Sequence, residues 1–137
     1  MRFAGLALMA CLAGCSLASG TGGECVNDSQ CGDEVCTSGG ECLARTSVRS
    51  FTVKWTIDGA PASVATCDAH RDLYLQFKGT DYGDTLRVEP VACSQGSYPV
   101  DKLPKRYQQV ELGIQGGTGT VLAIDPVTAQ AQFDLFQ

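Results

Sequence analysis

The stretch Phe51-Thr52-Val53-Lys54-Trp55-Thr56-Ile57 decides the fold of this chain. Its apolar side chains stand at every second position, with threonine or lysine between them. Since successive side chains of a β-strand point to opposite faces of the sheet, this alternation predicts a strand with one face in a core. The turn-forming pair Asp58-Gly59 follows and predicts the end of that strand.

Outward from this strand, the chain after residue 46 consists of further short alternating runs. Turn-forming Gly, Asp and Pro residues separate most of them, and no segment sustains helical periodicity over three turns. Residues 46–137 are therefore predicted to form a mainly β domain, an antiparallel β-sandwich of six or seven strands with Trp55, Phe77 and Phe133 in one core. The other strands are predicted at Asp72–Lys78, Thr85–Ala92 (interrupted by Pro90), 107–115, 120–124 and 129–135, with 62–66 as a short seventh.

Cysteine is unusually frequent, with eight residues in 137. Half of them lie between Cys25 and Cys42, with the spacing C-x5-C-x4-C-x5-C among turn-forming residues. Val26 and Val35 are the sizeable apolar side chains of this segment, so no hydrophobic core can hold it together. Residues 25–45 are therefore predicted to form a small disulfide-rich module.

Four cysteines allow three pairings within this module. We favour the interleaved pairing because it closes two overlapping loops and fixes the short segment more completely. Beyond the module, Cys67 and Cys93 flank the runs at 72–92, where a bond would clamp the outer ends of a hairpin or bridge two sheets. The predicted disulfides are Cys25–Cys36, Cys31–Cys42 and Cys67–Cys93.

Residues 1–14 have the features of an export leader. Arg2 supplies a positive start, and the apolar run at 3–12 is too short to span a bilayer, which takes about 20 residues. The run ends on Leu12-Ala13-Gly14-Cys15, which resembles the lipobox of bacterial lipoproteins. The resemblance implies cleavage before Cys15, acylation of its thiol and attachment to a membrane through that lipid. The alternative is a secretory signal cut after Ala18-Ser19-Gly20.

Residues 15–24 are rich in Gly and Ser and are predicted to be a flexible tether. In Gram-negative lipoproteins Asp after the lipidated cysteine commonly marks inner-membrane retention, so the resemblance implies that Ser16 directs the chain to the outer membrane. Once the leader is removed and Cys15 is lipidated, six cysteines remain, an even number that fits three disulfides in an oxidising compartment. The predicted segments are the signal peptide 1–14, the tether 15–24, the module 25–45 and the sandwich 46–137.

Two further resemblances concern the folded parts. Residues 27–32 and 39–42, Asn-Asp-Ser-Gln-Cys-Gly and Gly-Gly-Glu-Cys, resemble short cysteine-rich modules that follow the lipobox in lipoproteins of Gram-negative soil bacteria. Residues 103–107, Leu-Pro-Lys-Arg-Tyr, resemble a turn that opens a strand in transthyretin-like and carboxypeptidase-regulatory-like sandwiches, with Arg106 where that pattern has Gly. Those sandwiches serve mainly as folding or adhesion modules. Trp55 near the predicted bond from Cys67 is similar to the Trp-on-disulfide packing of immunoglobulin-like domains.

The charge of the chain limits its partners. The formal net charge is −5, and loss of Arg2 with the leader would leave nine basic against 15 acidic residues, or −6. This acidity argues against nucleic acid as a partner, because nucleic acid is bound by clustered Lys and Arg. The predicted partners are the membrane, through the lipid on Cys15, and an unidentified protein or glycan.

No pattern in the sequence predicts a catalytic residue, a metal site or a cofactor. The module lacks the C-x-x-C knuckle of a zinc site, and its acidic residues match no EF-hand loop. His70 lies between Asp68 and Asp72 without a G-x-S-x-G elbow to supply a nucleophile. The other candidates, each better read as a turn, are Asp28, Asp33 and Glu34 for calcium, Asp81, Asp84 and Glu89 as paired carboxylates, and Gly116-Gly117-Thr118-Gly119 as a phosphate loop.

Three functions follow as hypotheses. The first is a non-enzymatic, outer-membrane-anchored lipoprotein that displays its sandwich for protein or glycan binding, or for a structural role in the envelope. The second is an accessory or hydrolytic envelope protein that uses His70 and nearby carboxylates. The third is a small-ligand or metal-binding lipoprotein, which requires a concave apolar pocket between the sheets.

Overall fold

The computed structural model describes residues 23–68 and 72–136, which form a small cysteine module followed by a two-sheet β domain. In the module, β1 (Val35–Cys36) pairs antiparallel with β2 (Cys42–Leu43). Short 3₁₀ turns cover Asp28–Gln30 and Arg45–Ser47, and the second leads directly into the β domain. None of the helices in the described part of the chain has the length and hydrophobicity needed to cross a bilayer.

The β domain has eight strands in two sheets, which confirms the mainly β class predicted for it, and all of its strand pairs except β3–β10 are antiparallel. The first sheet is built on β3 (Val48–Ile57), with β10 (Gln130–Leu135) on one side and β4 (Ala60–Pro61) and β7 (Ser97–Pro104) on the other. The second sheet has the order β6 (Thr85–Ala92), β5 (Asp72–Lys78), β8 (Gln109–Ile114) and β9 (Gly119–Ala123).

The inward faces of the two sheets share one core, as a sandwich requires. The rings of Phe51 and Phe77, one from each sheet, meet edge to face with their centroids 6.1 Å apart. Trp55 is 2% exposed, and its indole N–H donates to the carbonyl of Cys93 at 2.7 Å. These aromatic side chains fill the space between the sheets where a concave apolar pocket would have to lie, so the third hypothesis gains no support.

The Cys67–Cys93 disulfide is present and lies within this core. Cys67 lies in the connection from β4 to β5 and Cys93 in the connection from β6 to β7, so the bond joins two segments that each cross between the sheets. Closing a loop with a sequence separation of 26 stabilises the fold by about 3.5 kcal/mol in the chain-entropy model. That is a large share of the net stability of a domain of this size.

The strand β7 was not predicted, and the reason is a β-bulge. Opposite β3, the register shifts between Arg49 and Phe51, so that Val100 and Leu103, three positions apart, both face the core. β7 therefore has one residue more than β3 across this interval, and Lys102, which lies within it, has a positive φ of 52°. Such an insertion destroys the period of two by which strands are recognised.

Two other expectations are corrected by the structure. Residues 62–66 do not form a strand, because Ser63 and Thr66 exchange side-chain and backbone hydrogen bonds and close a turn instead. The strand after Asp58-Gly59 is β4, reached through a two-residue turn in which both residues have positive φ. The last strand, β10, runs parallel to β3, whereas the sequence predicted an antiparallel sandwich throughout.

Candidate binding groove between the cysteine module and the sandwich

The module is held by the two disulfides favoured from the sequence, Cys25–Cys36 and Cys31–Cys42. Within the described residues, the one cluster of possible metal ligands is made by the sulfurs of Cys25, Cys31 and Cys42, which lie within 4.8 Å of one another. Each of these sulfurs is bonded to another sulfur, so none is a thiolate that could bind zinc.

The loop between β1 and β2 is shaped by Thr37 and two glycines. The Thr37 hydroxyl accepts from the amides of Gly39 and Glu41, at 3.3 and 3.2 Å. Gly40 has a φ of 79°, and a Cβ on it would come within 2.9 Å of the Gly23 Cα. The Cys25 amide also donates to the Gly40 carbonyl at 2.9 Å, so the start of the module and this loop pack backbone to backbone.

The module docks on β7 through Lys102. Its ammonium group lies 2.7 Å from an Asp28 carboxylate oxygen, which also accepts the Cys36 amide at 2.9 Å. The hydrogen bond from Lys102, followed by that from the Cys36 amide, lowers the pKa of Asp28 below its ordinary value. Beside this pair, Ser38 donates its amide to the Lys102 carbonyl at 3.4 Å and its hydroxyl to the carbonyl of Asp101.

A second connection is made by Arg106, which forms ion pairs with two carboxylates from different parts of the chain. One is Glu41 of the module, and the other is Asp84 of the β5–β6 hairpin, 2.8 Å away. Burial lowers the pKa of the Arg106 guanidinium, but the hydrogen bonds to Asp84 and Glu41 outweigh it and raise this pKa above its ordinary value. The guanidinium also lies 4.9 Å from the centroid of the Tyr107 ring.

These contacts leave a groove of about 450 Å³ between the module and the β5–β6 hairpin, which we call the junction groove. Glycine backbone forms part of its walls, and carboxylates, arginines and a tyrosine supply its polar groups. Burial raises the pKa of the Tyr107 hydroxyl, so this group stays protonated and can donate. The groove is lined by Gly23, Glu24, residues 39–41, residues 83–87, Arg106 and Tyr107.

A second polar cluster covers the outer face of the second sheet. The Tyr74 hydroxyl and the Lys78 ammonium both donate to Glu111, and the Arg87 guanidinium carbon lies 3.9 Å from the centroid of the Tyr74 ring. Burial, followed by the hydrogen bond to Glu111, raises the pKa of Tyr74 to about 12. The ring occupies space left by Gly113, on which a Cβ would lie 2.7 Å from it. This cluster is internally paired and borders the groove through Arg87.

Within residues 23–68 and 72–136, the candidate carboxylates either bind separate basic side chains or are exposed. Cys15, the tether before Gly23 and His70 lie outside the described residues, so the predictions made for them stay predictions. Asp68 and Asp72, which flank His70 in sequence, are both exposed. Residues 115–118 make the turn between β8 and β9, and Gly119 begins β9, so this glycine-rich stretch belongs to a hairpin, as predicted.

The proposed carboxylate groups have other roles. Asp84 and Glu89 bind different arginines, Arg106 and Arg87, and do not face each other as a pair of carboxylates. Asp28, weighed as a calcium ligand, is bound to Lys102 instead. Ion pairs between segments distant in sequence account for Asp84 and Asp28, whereas Glu89 pairs with Arg87 two positions before it on β6.

Sequence reasoning also missed Arg49. Its guanidinium donates to the carbonyls of Asp125, Thr128 and Tyr107, and so ties the loop between β9 and β10 to the start of β8. Burial lowers the pKa of this guanidinium.

We predict that Asp28→Asn weakens the folded state at pH 7 and that its effect disappears in acid. Because the pKa of Asp28 is lowered in the folded state, its contribution to stability is present above the unfolded pKa of about 4 and is lost as the pH falls through the folded value. Urea unfolding at a series of pH values measures the difference between wild type and variant. Asp33→Asn, at an exposed aspartate of the same module, is the matched control. A difference that persists unchanged at about pH 2 would contradict the role of the Asp28 carboxylate.

The chain was compared with known proteins in three ways. No protein-family model matches it, and neither the curated proteins nor the solved structures contain a match. The assignment of the junction groove therefore rests on the geometry of this chain.

Proposed function

We propose that this protein is a non-enzymatic lipoprotein, anchored in the outer membrane through Cys15, that binds a protein or glycan partner in the junction groove. The observation that carries the proposal is the groove itself. It lies where two separately stabilised parts of the chain meet, which is a preferred position for ligand sites. Its walls offer groups for hydrogen bonding and ion pairing, the chemistry by which peptides and sugars are held.

The disulfides support export. All six cysteines from Cys25 onward are paired, and disulfides form and persist mainly in oxidising compartments. A leader before Cys15 and a lipid on its thiol would account for the other two cysteines. The first described residue, Gly23, lines the groove, so the tether would join the folded part beside its binding site.

The composition of the groove supports a polar ligand. Glu24, Glu41 and Asp84 supply carboxylates, while Arg87 and Arg106 supply guanidinium groups. Charge-assisted hydrogen bonds from such groups are stronger than neutral ones and are directional. Because both signs are present, the groove suits hydroxyl and amide groups better than a ligand of one charge.

The anchor is tested by mass spectrometry of the protein purified from membranes of an expressing Gram-negative host. We expect a mature chain that begins at Cys15 and carries acyl chains, with the remaining six cysteines resistant to alkylation until they are reduced. Cys15→Ser should abolish acylation and release the protein from the membrane fraction. An unmodified Cys15 in the wild-type chain would overturn the anchoring half of the proposal.

The groove is tested by filling it. A Cβ on Gly39 meets its nearest atoms at 3.8 and 3.9 Å, which is normal contact, so Gly39→Phe should fold and place a ring in the groove. We expect wild type to be retained on purified peptidoglycan sacculi or on immobilised outer-membrane protein, and Gly39→Phe to lose at least tenfold in affinity, about 1.4 kcal/mol. Val64→Phe, at a site 82% exposed and outside the groove, is the matched control and should bind like wild type. Equal retention of all three chains would contradict binding in the groove.

A further inference from the structure

The edge strands of the two sheets differ in how well they are protected against pairing with other chains. β6 and β7, which follow one another in the chain, form the edges on one side of the sandwich. β6 carries Arg87, Glu89 and Pro90, and the module covers β7 through the hydrogen bonds of Ser38. Charges, proline and a covering segment are the devices by which proteins keep sheet edges from pairing with other chains.

On the opposite side, formed by β9 and β10, the edge strand β9 lacks these features. The sequence of β9 is Gly119-Thr120-Val121-Leu122-Ala123, without a charge or a proline. Its pairing with β8 has no register shift, so the strand is regular. Within the described residues, no strand pairs with its outer side.

The hydrogen-bonding groups at this edge follow from the register. Ile124 donates its amide to the Gln108 carbonyl at 2.7 Å. This bond fixes which residue pairs of the β8–β9 ladder are hydrogen-bonded and which are not, since the two kinds alternate. Leu122 and Thr120, two and four positions before it, therefore bond to β8 as well. The backbone N–H and C=O groups of Val121 and Ala123 consequently point away from the sheet.

We propose that β9 pairs antiparallel with the β9 of a second copy of this chain, about a twofold axis through Val121. In this arrangement Val121 exchanges two hydrogen bonds with its counterpart. On each side the Ala123 amide donates to the Gly119 carbonyl of the other copy, because the Gly119 amide already donates to the Glu111 carboxylate. Thr120 lies opposite Leu122 of the other copy. The two four-stranded sheets then become one sheet of eight strands across an isologous interface.

A second copy is favoured because the pairing is symmetric and uncharged. The chain has a formal net charge of −5, so most of its surface repels another copy, but β9 places no like charges opposite each other. Glu111 of β8 lies opposite Val121 on the same face of the sheet, and its carboxylate is already paired with Lys78. The Val121 side chain is 45% exposed and would contact its symmetry mate across the axis.

The test is a cysteine cross-link in the full chain. In a hydrogen-bonded antiparallel pair the two Cα atoms are about 5.5 Å apart, within the range of a disulfide. Val121→Cys, treated with the thiol oxidant diamide, should give a band of twice the mass on a non-reducing gel that disappears on reduction. Wild type controls for its own cysteines, and Val127→Cys, at a position 90% exposed, controls for random collision.

We expect the Val121→Cys dimer to exceed that of Val127→Cys by at least fivefold. A second variant, Val121→Pro, removes only the outward amide and should keep the circular dichroism spectrum of wild type. Sedimentation equilibrium should show a concentration-dependent dimer for wild type and a monomer for Val121→Pro. Cross-linking of Val121→Cys no greater than that of Val127→Cys, a product of any other mass, or a wild type that is monomeric throughout would overturn the proposal.

Discussion

The organisation of this protein depends on Arg106, a single cation between two carboxylates. Glu41 reaches it from the cysteine module and Asp84 from the β5–β6 hairpin, while Arg106 itself lies between β7 and β8. Three segments that are distant in sequence are thereby fixed relative to one another. Removing the cation would leave two carboxylates facing each other at the junction groove, and within the described part of the chain neither forms an ion pair with a second cation.

The module and the sandwich stabilise each other in different ways. The module has almost no hydrophobic core, so two disulfides restrict its unfolded state and ion pairs from Lys102 and Arg106 orient it. In return it covers β7, an edge strand with a bulge whose outward carbonyls at residues 101 and 102 accept from Ser38. The groove exists because this covering is incomplete: the module contacts the edge of the sheet and leaves a gap beside the hairpin.

The sequence predicted the strands well where side chains alternate and poorly where the backbone departs from that pattern. The bounds of β5 and β6 agree with the structure, and β3 was found through its alternation from Phe51 to Ile57. β7 was not predicted because its bulge puts Val100 and Leu103 on one face. The direction of β10 could not be predicted either, because alternation does not encode whether a strand runs parallel or antiparallel to its neighbour. The junction groove could not be predicted, since its lining comes from three regions brought together by tertiary contacts such as the ion pairs of Arg106.

The most direct test of this account is a double-mutant cycle on Arg106→Met and Glu41→Gln, measured by urea unfolding and by hydrogen exchange of the Ser38 amide. Both side chains are more than a third exposed, so solvent screening limits the expected coupling to about 0.5–1 kcal/mol. Each single variant should also speed exchange at Ser38, because the module would be held less firmly on β7. Strictly additive effects, with exchange at Ser38 unchanged in both single variants, would show that Arg106 does not hold the module in place and would contradict the account.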